Sequence, residues 1–142
     1  MTAKQYLQSY RKLECDYKVT MAEYKTVEDD MITLKSPTFG DKVQISPKND
    51  PIGEIVINLE EKKAVIGRRI VMIQSKMVAI RNQVGSMEDI DNDYYTILMM
   101  RYILYKDWKF ICNTLHVSRT QANFIHGRAL QEFDSKYGEN YL

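Results

Sequence analysis

Apolar side chains recur at three- and four-residue intervals along the first quarter of the chain. The series is Ala3, Tyr6, Tyr10, Leu13, Tyr17, Thr20, Tyr24, Val27, Met31 and Leu34, with Thr20 the one polar member. Positions three and four apart share a helix face, so this spacing predicts one continuous helix. No Pro or Gly interrupts it before Pro37. Thr2 is placed to cap its start, and Ser36 is pushed out of the helical region by the proline after it. A helix of ~33 residues would be roughly 50 Å long.

The same period returns through Val56, Leu59, Lys63, Ile66, Ile70, Ile73, Met77, Ile80, Val84 and Met87. Lys63 is the exception, and its aliphatic stem can lie along a seam while the ammonium reaches water. Between the stripes, residues 36–53 hold all three prolines and two of the six glycines, which predicts a polar loop. Two stripes of matching length joined by a loop predict an antiparallel helical hairpin with a coiled-coil-like interface. Leu7, Met21, Ile55, Val65 and Met72 add apolar surface beyond the two stripes. Surplus of that kind points to a partner, and a homodimer through the hairpin is the expectation.

The last third changes pattern. Gly85 and Ser86 weaken the second helix, and the run Glu88 to Asp93 is an acidic connector rich in capping residues. A third helix is expected through Tyr94, Tyr95, Ile97, Leu98, Arg101, Tyr102 and Ile103. Asp107 then caps a short helix whose inward face is Trp108, Ile111, Cys112 and Leu115. Ser118 caps a final helix with the core face Ala122, Ile125, Ala129, Leu130 and Phe133, and Gly138 is its expected stop. The expected fold is therefore all-α: a hairpin over residues 1–87, then a trihelical helix-turn-helix domain over 88–142.

Net charge is +1, but residues 94–142 carry six basic and four acidic side chains. That is a small positive excess for a polyanion-binding domain. Cys15 and Cys112 belong to no CxxC or Cys/His cluster, so free thiols in a reducing cytoplasm are expected. No apolar run approaches the ~20 residues needed to span a bilayer, so no membrane association is expected. Enzymatic chemistry finds no foothold. Cys112 and His116 are two ligands where a structural zinc site needs four. Cys15 and His126 lack a third group, and the acidic run lacks the glycine and terminal glutamate of a calcium loop. No glycine-rich phosphate loop occurs, and no cofactor is expected.

The final helix carries the one functional signal. Ala122, Ile125 and Ala129 form an inward stripe, whereas Arg119, Thr120, Asn123 and Gly127 fall outside it. A second helix with that division suits a DNA major groove. Arg119 matches guanine and Asn123 adenine by bidentate hydrogen bonds. The hydroxyl and backbone N–H groups at Ser118 suit a phosphate oxygen, and Gln121, Arg128 and Lys109 suit further phosphate contacts.

At these residues a resemblance emerges. Leu98-x-x-Arg101-Tyr102, Trp108-x-x-Ile111, Ser118-Arg119 and Ala129-Leu130 resemble the C-terminal, −35-element-reading domain (region 4) of bacterial sigma factors, over residues 90–134. The whole chain is similar to small phage and prophage proteins of the ArpU/RinA type of late-gene transcriptional regulators. The opening Met1-Thr2-Ala3-Lys4-Gln5-Tyr6-Leu7, Ser36-Pro37, Asn49-Asp50-Pro51-Ile52-Gly53 and His126-Gly127-Arg128-Ala129-Leu130 carry that likeness. The resemblance implies control of phage late genes alongside host RNA polymerase, in the cytoplasm at the nucleoid. It places base contacts on Arg119, Thr120, Asn123 and Phe124, with Thr120 and Phe124 suited to thymine methyl groups. The other sigma regions have no counterpart, so an auxiliary activator rather than a promoter-melting factor is implied. The competing expectation is an adaptor that grips RNA polymerase or a phage protein through the trihelical domain without touching DNA.

Overall fold

The computed structural model describes residues 1–35 and 51–141, and among these every regular element is helical. Helix α1 spans Ala3–Lys35 and α2 spans Pro51–Ser86. After a 3-10 turn at Met87–Asp89 come α3 (Asn92–Leu98), α4 (Trp108–Leu115) and α5 (Arg119–Tyr137). The expected loop over 36–53 lies outside the described residues for 36–50. Its last three residues, Pro51 to Gly53, open α2 instead. Proline fits that first helical turn, where its missing N–H leaves no bond unmade. Gly85 and Ser86 do not end α2 early, since the helix continues through Ser86.

The start of α1 is a capping box. The Gln5 backbone N–H donates to Thr2 Oγ1 at 3.2 Å, and the Thr2 N–H donates to Gln5 Oε1 at 2.9 Å. The contacts divide the chain into two compact units, one of residues 1–15 with 75–142 and the other of residues 16–74. Each long helix therefore contributes to both.

In the unit of residues 16–74, Val27, Met31, Ile66 and Ile70 are buried together, with Tyr17, Tyr24 and Leu59 against them. The pairing descends on one helix as it climbs on the other. Gln74 Nε2 donates to Tyr17 Oη at 3.2 Å, and Lys63 Nζ lies 3.5 Å from Glu28 Oε1. These segments of α1 and α2 run antiparallel. Lys63 is half-buried as its seam position requires, with its ammonium also 5.4 Å from the Tyr24 ring centre. Thr20 is buried too, and its hydroxyl donates to the Asp16 carbonyl at 2.7 Å, so the polar interruption costs no unmet hydrogen bond.

The other unit is built around Phe133, Leu7, Met87, Ile97, Leu98, Ile111 and Val84, which are fully buried. Phe133 of α5 meets the rings of Tyr137 at 5.1 Å, Tyr6 at 6.1 Å and Tyr141 at 6.3 Å. The Tyr6 hydroxyl donates to Gln83 Oε1 at 2.8 Å, and the Ser86 and Tyr137 hydroxyls share a hydrogen bond. Ala122 and Ala129 are fully buried, and their small side chains allow α5 to lie close to its neighbours.

The third helix departs from its expected form. It is α-helical only to Leu98, then widens into a π-helical turn over Met99–Ile103, with the Leu104 N–H donating to the Met99 carbonyl at 2.9 Å. Tyr105 follows in the left-handed region at φ 56°. Tyr102 on the widened turn is buried, whereas Arg101 beside it stays exposed.

Candidate nucleic-acid interface

Two short-range hydrogen bonds set the frame of the site. Asp107 Oδ1 accepts from the Phe110 N–H at 2.8 Å and fixes the start of α4. Ser118 Oγ accepts from the Gln121 N–H at 3.2 Å and fixes the start of α5. Both caps are the residues that the sequence nominates. Between the helices, His116 adopts the left-handed conformation at φ 56° and ψ 44°, and its N–H returns to the Cys112 carbonyl. Such a residue ends a helix sharply, and histidine is among the non-glycine residues that take this conformation most readily. The result is a helix, a three-residue turn and a second helix.

The faces of α5 separate as expected. Ala122, Ala129 and Phe133 are buried and Ile125 and Leu130 half-buried, while Ser118, Arg119, Thr120, Gln121, Asn123, Phe124 and Arg128 are exposed. Lys109 on α4 is exposed as well. Phe124 is 62% exposed, an uncommon position for a phenyl ring, and the Arg128 guanidinium lies 5.3 Å from its centre.

An aromatic and cationic cluster supports this face, and the periodicity gave no sign of it. Trp108 sits at the start of α4 with the Arg119 guanidinium 4.3 Å from its ring centre and that of Arg101 at 5.1 Å. The His126 ring meets Trp108 edge-on at 5.1 Å, and its Nε2 shares a 2.8 Å hydrogen bond with the Tyr102 hydroxyl. The only hint in the sequence was a lone tryptophan one residue after a helix cap. Arg11 and Gln8 of α1 line one cleft with Arg101, Tyr102 and Tyr105. Arg11 and Arg101 thus share one cleft, and Arg101 and Arg119 share the Trp108 ring.

Burial and the neighbouring Lys4, Arg101 and Arg119 push His126 down to about 4 from its ordinary 6.5, so its ring is neutral at pH 7. Burial likewise pushes the Tyr102 hydroxyl up to about 12. The folded state resists protonating His126, whereas the unfolded chain takes that proton near pH 6.5. Between about pH 6.5 and 4 the unfolded state therefore binds more protons, and stability falls as pH falls. Thermal melts across that window should show a steeper acid loss for the native chain than for His126→Gln. Equal slopes would show that this ring contributes nothing to acid sensitivity.

Among the described residues no three His, Cys, Asp or Glu side chains gather into a metal-holding group, and no helix is long and apolar enough to cross a membrane. Cys15 and Cys112 are free thiols. No family model, no curated protein and no solved structure matches the chain.

Proposed function

We propose that the chain is a sequence-specific DNA-binding regulator whose reading element is α5, presented by a helix-turn-helix of α4 and α5. The observation that carries this reading is the exposed outer face of α5, with Arg119 held against Trp108 one residue after a capped helix start. A reader of a groove needs a planar donor fork fixed in place, and a guanidinium stacked on an indole is such a fork. Arg101, Lys109 and Arg128 add positive charge on the same domain for the phosphate backbone, and Arg11 adds to it from the α1 segment of the same unit.

The sigma region-4 likeness in sequence directs the reading toward promoter DNA and toward a phage late-gene activator working with host RNA polymerase. The long helices form a coiled-coil-like hairpin that brings two copies together. Two modestly charged readers joined in one homodimer bind far more tightly than either alone.

The test is selection from a pool of randomised duplexes by the full-length protein, followed by anisotropy titration on the enriched sequence. A recurring motif, bound with an affinity that falls steeply as salt rises, is the expected result. No enrichment, together with capture of purified bacterial RNA polymerase, would instead make the chain an adaptor.

A further inference from the structure

The unit of residues 16–74 leaves a second apolar strip on α2. Ile57, Ala64 and Val71 recur every seven residues, with Val65 and Met72 beside them. At about 100° per residue this strip lies on the opposite side of the helix from Leu59, Ile66 and Ile70. Those three face the α1 contact. The strip is open: Ile57 is 57% exposed, Val65 56%, and Val71 and Met72 61% each. Two opposite charges, Glu61 and Arg68, stand on it and are exposed as well.

We propose that this strip is a homodimer seam, in which α2 meets α2 of a second copy antiparallel about a two-fold axis between Ala64 and Val65. The inference rests on the homodimer reading above and gives it a surface and a register. Glu61 and Arg68 each lie about 3.5 residues, or roughly 5 Å, from that axis on opposite sides. The symmetry therefore sets Glu61 of each copy across from Arg68 of the other. Ile57 and Met72, each about 7.5 residues from the axis, meet in the same way.

A parallel pair would do the reverse. It would stack Glu61 on Glu61 and Arg68 on Arg68, which costs energy where the antiparallel pair gains it. A self-complementary patch of this kind is what a two-fold interface demands, since one surface must serve both partners. A partner of a different sequence has no need of a patch that matches itself. One helix face per copy buries about 1,000 Å² in total, the lower bound for a specific interface, so dissociation in the micromolar range is expected.

The experiment is sedimentation equilibrium of the full-length protein under reducing conditions, compared across charge exchanges. Glu61→Arg sets arginine against arginine and Arg68→Glu sets glutamate against glutamate, so each alone should weaken dimerisation about tenfold or more. The double exchange E61R/R68E restores the pairing and should return the native dissociation constant. Both positions are exposed, and circular dichroism checks that the variants stay helical. A chain monomeric throughout the micromolar range would overturn both the seam and the homodimer reading. A dimer indifferent to the single exchanges, or one the double exchange does not restore, would overturn this seam and leave the homodimer reading standing.

Discussion

Replacing Phe133 with alanine is expected to destabilise the unit of residues 1–15 and 75–142 by about 3–5 kcal/mol, the range for removing a fully buried phenyl ring. Its side chain has no solvent exposure and three tyrosine rings surround it, from α1, the end of α5 and the 3-10 turn Gly138–Tyr141 that follows. Those neighbours belong to separate elements that cannot all collapse into the space, so the cavity persists and its cost is added to the lost transfer energy. Since whole domains hold only ~5–15 kcal/mol, the variant sits near the edge of folding. The chain's one tryptophan, Trp108, lies in the same unit and reports its unfolding directly. Urea titration followed by tryptophan fluorescence should show the midpoint falling sharply, and Phe133→Leu should recover most of the loss. A cost under ~1 kcal/mol would mean that this aromatic cluster does not hold the unit together.

The helices were legible because burial on one side leaves a periodic trace. Every member of the two heptad-like stripes from Ala3 to Leu34 and from Val56 to Met87 is buried or half-buried, Thr20 and Lys63 included. The caps at Thr2, Asp107 and Ser118 were legible for a similar reason: a short polar side chain just before an apolar run has one local hydrogen bond to make. The start of α2 was not, because Pro51 and Gly53 read as loop residues until the first helical turn is seen to accept a proline. The π-helical turn at Met99–Ile103 left no trace either, since Leu98 to Ile103 is apolar at every position but Arg101 and offers no phase against which a widened turn would show.

The site divided along the same line. Which residues of α5 face outward follows from spacing alone. What holds Arg119 in place is a contact between two helices, and single-sequence periodicity carries no information about it. Trp108 was expected to point inward, and it is half-buried with two guanidiniums over its ring. The same cluster alters the electrostatic picture. The shortage of positive charge is real in total, yet Arg101 shares the Trp108 ring with Arg119 and a cleft with Arg11 of the distant first helix.

On the duplex selected by the native protein, Arg119→Ala should weaken binding by about tenfold to a hundredfold, the range for losing one bidentate base contact. The loss should come with relaxed preference at a single base pair. Trp108→Leu separates charge from orientation: it leaves every guanidinium in the chain but removes the ring that Arg119 and Arg101 share. A stacking contact of this kind is worth ~0.5–2 kcal/mol, so specific affinity should fall about twofold to thirtyfold. Binding to unrelated duplex should hardly change, because counterion release depends on the number of phosphates neutralised. Arg119→Lys keeps the charge without the planar fork and should resemble Trp108→Leu rather than the native chain. Lys109→Ala supplies the contrast, with a uniform decline on all sequences and a shallower salt dependence. Anisotropy titrations at several salt concentrations read all four variants on specific and unrelated DNA. Should Arg119→Ala and Trp108→Leu weaken both duplexes equally, the pair would be a phosphate contact and its support, and the base reader would have to be sought among Thr120, Asn123 and Phe124.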